Sequence, residues 1–441
     1  MYPQASVEIP LMVAALTALD RPGECAGLLL QSGRSMMRVL VLHNRYQLPG
    51  GEDVVVRQEI EMLRGAGIET ELYEVNNDAI VGIGQQVRAT IGAFYSRQSR
   101  SEVAELVKRI RPDVMHVHNF MPRLTPSVYG PARDHGCAVV QTLHNYRLLC
   151  ANAILQRNDR PCQDCVGRAY GWPGLMHRCY RGSAVGSAVV SGVTALHRMR
   201  GTWRNEVDRY IVLTRFAQDL FARSGVVPPE KIVVKPNAVP DPGVGTGDGK
   251  YLLFVGRLSP EKGIRVLLEA AQHADGFPMP LKIVGGGPLE EEVRRCAQDG
   301  RIEYLGNQPQ AEVRRLMKHA ALLLFPSLWY ETFGMVIAEA FASGLPVIAS
   351  NLGAMTELVI PEKTGVLVEP GSVNGFLGAV KRIVSSPALH SSMRRNARIS
   401  YEQNYTLEAN RHMLLRIYEQ AREVAAACQT KVLVEERSPG E

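Results

Sequence analysis

Short apolar runs alternate with helix-length amphipathic stretches along nearly the whole chain, and the alternation is interrupted once and then begins again. Apolar runs at 39–42, 69–75, 114–117 and 138–143 are separated by helical patterns near 53–66, 101–110 and 126–135. Two more runs, at 211–213 and 232–234, flank a helical pattern at 215–224. This order predicts a parallel sheet covered by helices, because parallel neighbours can be joined only by a crossover long enough to hold one. Pro236, Pro240 and Pro242 then precede Gly243, Gly245, Gly247 and Gly249, a composition that reads as a linker. The alternation resumes with runs at 251–255, 281–284, 302–305, 322–325, 347–349 and 365–368 and helical patterns between them. The chain is therefore expected to be α/β, with two doubly wound Rossmann-like domains and a ligand cleft between them. The first would span 37–235 with an insert at 150–180, the linker 236–249 and the second 250–405. A helix would follow at 406–428, and a tail at 429–441. Residues 1–36 read either as a flexible extension or as a start codon placed too early.

At 441 residues the chain can bury two cores, and an apolar fraction of 46% is that of a soluble globular protein. No run of 18 uncharged apolar residues occurs, so no spanning helix is expected. The expected location is cytoplasmic, with peripheral contact at the inner face of an anionic membrane as one use of the charge. That charge is uneven: between Gln141 and Arg215 there are eleven arginines and no lysine against Asp159, Asp164, Glu206 and Asp208, enough to account for the net +6 of the whole chain. Such a stretch suits phosphates, acidic glycans or an anionic lipid surface, or is an ordinary solvated basic face. No recognition motif accompanies it, which argues against nucleic acid.

Two acids stand out, Glu331 and Glu339, with Phe333 and Gly334 after the first. Gly334 loosens the backbone and Met335 begins a helical run, which puts Glu331 in a loop and Glu339 inside the helix. Eight helical residues span ~12 Å, whereas hydrolytic carboxylate pairs sit ~5–9.5 Å apart across one bond. Two acids gripping different parts of an elongated polyhydroxyl ligand, such as a nucleotide sugar, fit better; the plain alternative is a loop acid and a solvated helix acid. Arg257 and Lys262 emerge at the carboxyl end of the 251–255 run, with Ser259 as helix cap and Pro260 in the first position, where open α/β sheets bind ligands. They suit a diphosphate, or form a helix-start charge pair with Glu261. Gly285 and Gly286 form a glycine-rich turn.

In the first domain Gly50 and Gly51 let backbone N–H groups approach an anion at a helix start, without the Gly-x-Gly-x-x-Gly spacing of a nicotinamide enzyme. Glu52 and Asp53 follow, either beside the cleft for an acceptor or as helix-start acids. His118 and His144 end two runs and face the expected cleft; His116 shares the sheet face of His118 and reads as a buried residue. Cys150, Cys162, Cys165 and Cys179 include a Cys-x2-Cys pair in a segment with little apolar content, so a structural zinc is expected as one reading, with free buried thiols or a redox pair as the others. No Asp-x-Asp motif suggests a catalytic metal.

The phrase from Pro326 to Ser350, with its Glu-x7-Glu and the following Gly-Leu-Pro-Val-Ile-Ala run, resembles the signature of the retaining GT-B glycosyltransferases of family 4, and the resemblance extends over about 37–425. It implies transfer of a sugar from a nucleotide-sugar donor (UDP-, GDP- or other) to a glycan or lipid-linked acceptor, with retention, in cell-surface polysaccharide synthesis and without a catalytic cofactor. By the resemblance Glu339 would hold the ribose and Glu331 the sugar hydroxyls. Arg257 and Lys262 would hold the diphosphate, and the backbone at Phe333, Gly334 and Met335 the sugar and phosphate. Gly285 and Gly286 would lie near the nucleotide, the backbone of 304–308 near the base, and Gly50–Gly51 near donor phosphate and acceptor. His144 would stand beside the donor sugar, with His118 the second choice, and the last helix would cross back to the first domain. Two other functions carry some of the same features: a GT-B enzyme such as a nucleotide-sugar epimerase, and a non-catalytic nucleotide-sugar binder.

Overall fold

A computed structural model describes residues 37–45, 50–76, 92, 94–120, 123–247 and 249–436. The extension expected at 1–36 and the end of the tail, 437–441, lie outside the described residues.

Strands β1 (Arg38–Arg45), β2 (Glu69–Asn76), β3 (Val114–Val117) and β4 (Ala138–Thr142) open the first sheet. The two-residue strands β5 (Gln156–Arg157) and β6 (Arg160–Pro161) pair only with each other, as an antiparallel hairpin. With β7 (Arg209–Val212) and β8 (Ile232–Val234) the first sheet is complete, all parallel, in the order β2-β1-β3-β4-β7-β8. The second is built from β9 (Leu252–Val255), β10 (Leu281–Val284), β11 (Ile302–Gly306), β12 (Leu322–Phe325), β13 (Val347–Ser350) and β14 (Gly365–Val368), in the order β11-β10-β9-β12-β13-β14. The apolar runs lack polar alternation because helices cover both faces of each sheet. In β9, Leu253 packs into one cluster with Leu323, Val347 and Ala349, while Leu252 and Phe254 pack into the other with Leu322, Leu324 and Ile348. In each sheet the strand order reverses, between β1 and β3 and between β9 and β12, and such reversals open a crevice at the carboxyl ends of the strands.

The last helix, Leu407–Glu436, lies across the first sheet: the Tyr418 hydroxyl is 2.8 Å from His116 Nδ1, and Asn410 Oδ1 accepts from the Lys235 ammonium at 3.0 Å. Helices Ala184–Met199 and Pro387–Asn404 had no counterpart in the sequence reading. The first is rich in Val, Ser, Gly and Thr, poor helix formers; burial of Val190 and Val193 against the first core overrides that preference. No helix among the described residues is long and apolar enough to cross a membrane.

The zinc reading of Cys150, Cys162, Cys165 and Cys179 is not supported. All four are free thiols, and among the described residues no three of their sulfurs come within 4.8 Å of one another. The segment does have an apolar anchor, immediately before the Cys-x2-Cys pair: Leu148, Leu149, Ala151, Ala153 and Leu155 are buried. The Cys150 thiol donates to Asn152 Oδ1 at 2.9 Å, and burial pushes it up to about 11. Burial also raises Cys165 and Cys179.

Candidate functional site

The two crevices meet in a cavity of about 390 Å³. Gly51, Glu52 and His144 line it from the first domain; Arg257, Lys262, Glu331, Phe333, Gly334 and Met335 line it from the second. Residues drawn from four separate stretches of chain are thereby brought together.

On the second-domain wall, β9 ends at Val255 and the chain turns through Gly256 to Arg257. Ser259 stands at the N-cap and Pro260 in the first position, as the sequence suggested, but the helix they open is short and the Ser259 side chain caps no backbone N–H. Its hydroxyl donates to Glu261 at 2.6 Å, Pro260–Lys262 form a single 3-10 turn, and Gly263 (φ 71°) resets the backbone before the helix Ile264–Gln272. A Cβ on Gly263 would lie 1.9 Å from the Pro326 carbonyl, so glycine is what lets the Lys262 turn press against the loop after β12. Lys262 Nζ then donates to Glu331 Oε1 at 2.7 Å. The same oxygen accepts from Ser327 Oγ at 2.8 Å and Trp329 Nε1 at 2.9 Å, which leaves Oε2 as the Glu331 oxygen able to meet a ligand. Gly334 (φ 100°) starts the helix Met335–Ala342, whose first N–H groups have no acceptor within the helix.

Other residues singled out by the sequence stand outside the cavity lining. Glu339 is half-buried, accepts from Gln310 Nε2 at 2.6 Å, and is pushed up to about 7 by burial against the opposing pull of that hydrogen bond. Gly285 and Gly286 serve loop packing: a Cβ on Gly285 would meet the Gly256 carbonyl at 1.9 Å, and one on Gly286 the Asn307 amide at 2.7 Å. Gly50 precedes the helix Gly51–Gly65 and donates its N–H to Asp53 Oδ2 at 2.7 Å.

Behind the first-domain wall is a buried chain of polar groups. His144 Nε2 lies 3.0 Å from His118 Nδ1, and His118 Nε2 lies 3.4 Å from Glu59 Oε2. Glu59 Oε1 accepts from the Lys235 ammonium at 2.6 Å. His118 thus stands one residue back from the cavity, behind His144. Burial holds His144 down to about 4 and His116 and His118 well below their usual range, so all three are neutral near pH 7. Burial raises the Glu59 carboxyl, but Lys235 and the histidines outweigh it and the net shift is downward. Glu59, His116 and His118 form the one group spaced to hold a cation among the described residues. His116, however, is bonded to Tyr418 at one ring nitrogen and to Thr142 at the other, and Glu59 Oε1 faces an ammonium, while Glu59 Oε2 is buried without a hydrogen-bond partner.

Glu59 and Lys235 were missed in the sequence. The signal was there for Glu59, which shares the apolar face of its helix with Val56, Ile60 and Leu63. Lys235 follows an apolar strand and precedes a proline, a position where a lysine is ordinarily exposed.

Two family models match successive parts of the chain: a glycosyl transferase 4-like domain over residues 50–238, and glycosyl transferases group 1 over 243–400. Among solved structures, sucrose-phosphate synthase from Thermosynechococcus elongatus superposes with a TM-score of 0.63 at 19% identity, covering 87% of this chain and 98% of that one. The Anabaena protein HepE in complex with UDP superposes with a TM-score of 0.60 at 17% identity, covering 86% and 99%. The fold is GT-B. Among curated relatives, the D-inositol 3-phosphate glycosyltransferase of Jonesia denitrificans is 32% identical over 42% of this chain and 46% of its own length. The glycogen synthase of Mycobacterium tuberculosis is 27% identical over 65% and 64%. The chain thus spans about half to two thirds of the length of these relatives.

Proposed function

We propose that this GT-B protein is a retaining glycosyltransferase that moves a sugar from a nucleotide-sugar donor to a glycan or lipid-linked acceptor in cell-surface polysaccharide synthesis. The observation that carries the reading is the convergence of Arg257, Lys262, Glu331 and the Gly334 helix start on one wall of the interdomain cavity. Two cations and a helix N-terminus suit a diphosphate, and they stabilise the charge that develops as the sugar–phosphate bond breaks. Glu331 Oε2 takes the sugar hydroxyls and Glu339 the ribose. His144 meets a further sugar hydroxyl: its Nε2 is engaged with His118 Nδ1 at 3.0 Å, which leaves Nδ1 for the ligand. The retained configuration is read as same-face attack through an oxocarbenium-like state.

The acceptor enters from the first domain and, in this reading, from an anionic membrane surface. Supporting this, no acidic residue occurs between Val166 and Asn205, while Arg168, Arg178, Arg181 and Arg200 are exposed there together with Trp172, Met176, Val185 and Met199. Apolar side chains among cations suit an anionic interface.

The test is release of nucleoside diphosphate from UDP-, GDP-, ADP- and TDP-sugars with glycerol as a surrogate acceptor. Release from one donor, lost in Arg257→Ala, is the expected result. Donor altered without release would indicate an epimerase, and donor bound but unaltered a binding protein.

A further inference from the structure

The two acids that open the helix Gly51–Gly65 have different uses. Asp53 is consumed by the fold: Oδ2 accepts the Gly50 N–H at 2.7 Å, and Oδ1 lies 2.8 Å from His43 Nε2. Glu52 faces the cavity instead. Its Oε1 accepts from Asn145 Nδ2 at 3.1 Å, but Oε2 is buried and has no hydrogen-bond partner. Asn237, from the segment joining the domains, lines the same cavity and brings a second buried, unmet acceptor, Oδ1. An unmet buried acceptor is costly to keep, and neither atom serves the helix or the sheets. The cations Arg257 and Lys262 line the second-domain wall. That wall suits an anion, whereas Glu52 and Asn237 suit hydroxyl donors.

We propose that Glu52 receives the attacking hydroxyl of the acceptor, accepting its hydrogen bond and then its proton, while Asn237 accepts from a neighbouring hydroxyl of the same molecule. This rests on the glycosyl-transfer reading and adds the acceptor's chemistry: an alcohol with adjacent hydroxyls, a sugar or polyol. In the step, the acceptor oxygen forms its bond to the anomeric carbon with its own lone pair. The bond from that carbon to the diphosphate oxygen breaks, and its electron pair leaves on the nucleoside diphosphate held by Arg257 and Lys262. The hydroxyl proton passes to Glu52 and from there to solvent.

The surroundings of Glu52 suit a proton acceptor working near neutrality. Burial pushes the carboxyl up to about 7, against the Asn145 hydrogen bond and the charge of Arg147, with Asp53 adding to the rise. Across the cavity stand Arg257, Lys262 and Glu331. A base whose pKa lies near the working pH is the effective one.

The experiment compares wild type with Glu52→Gln and Glu52→Ala, using whichever nucleotide sugar stabilises the wild type, and glycerol or azide as nucleophile. Azide attacks without a proton to lose. Both variants are expected to bind donor as the wild type does, and to release nucleoside diphosphate to glycerol ~10²–10⁴-fold more slowly. The wild-type rate should climb as the pH passes through about 7, and the variant rates should not. Azide should restore release in Glu52→Ala. Equal glycerol rates in wild type and variants, down to none in either, overturn the proposal. So does loss of donor binding in the variants, or failure of azide to restore release. If the wild type itself binds no donor, the glycosyl-transfer reading has failed before any variant is compared, and the proposal falls with it.

Discussion

Lys262 donates to Glu331 across 2.7 Å, joining the loop after β9 to the loop after β12 at the point where the second sheet reverses its strand order. The cation assigned to the diphosphate is therefore held by the acid assigned to the sugar, and the two should act as one unit. Either Lys262→Met or Glu331→Gln is expected to weaken donor binding ~10–100-fold, the value of a charge-assisted hydrogen bond. The double variant should be little worse than either single one, because residues sharing a contact are not additive. Calorimetric titration with the donor checks this; fully additive losses would contradict the coupling.

Lys235 and Glu59 form an ion pair at 2.6 Å, both nearly inaccessible to solvent. Removing one partner strands the other charge, so Lys235→Met or Glu59→Leu alone should cost ~3–5 kcal/mol in urea unfolding. The double variant should recover most of that loss, since a buried pair is often replaceable by apolar side chains. It should remain inactive, because the buried carboxylate 3.4 Å from His118, behind His144, would be gone.

Stability should fall on acidification, for a reason that can be dissected. His144 goes from an ordinary value of 6.5 down to about 4 in the folded protein, and burial also holds His116 and His118 well below 6.5. The unfolded chain therefore binds protons that the fold excludes, and stability is lost as the pH falls below 6.5. Glu52 and Glu339, raised from 4.5 to about 7, act in the opposite sense: their contribution is present at low pH and lost as the pH rises through about 7. Three buried imidazoles act in the first sense and two carboxyls in the second, so a net loss on acidification is the expected result. In urea unfolding from about pH 5 to about pH 7, Glu52→Gln should steepen the acid loss and His144→Asn should flatten it.

Contact with a membrane should depend on charge and on exposed apolar side chains together. The protein is expected to sediment with vesicles containing phosphatidylglycerol and not with pure phosphatidylcholine, and to be released by salt as screening shortens to ~3 Å near 1 M. A variant combining Trp172→Ala, Arg178→Ala and Arg181→Ala should lose most of the binding while keeping turnover with glycerol.

The sheets were legible because parallel strands buried on both faces appear as unbroken apolar runs; the runs at 114–117, 281–284 and 322–325 coincide with β3, β10 and β12. The grouping of Arg257, Lys262 and Glu331 was also legible, since strand ends gather at one edge of such a sheet. Contacts between residues far apart in the chain were not. Nothing local to Lys235 indicates that it will meet Glu59, 176 residues away. Nor does Gly285 in isolation reveal that its missing Cβ makes room for the Gly256 carbonyl. The cysteine segment was misread for a related reason: its apolar anchor, Leu148 to Leu155, overlaps the first cysteine and ends before the Cys-x2-Cys pair.

The central claim is that the interdomain cavity is a nucleotide-sugar site, and thermal unfolding against UDP-, GDP-, ADP- and TDP-sugars tests it without a known acceptor. Donor at a hundredfold excess over its Kd should stabilise the wild type by ~2.7 kcal/mol. The account requires a shift with at least one donor that is lost in both Arg257→Ala and Glu339→Ala. No shift with any donor, or a shift that survives in both variants, would contradict it.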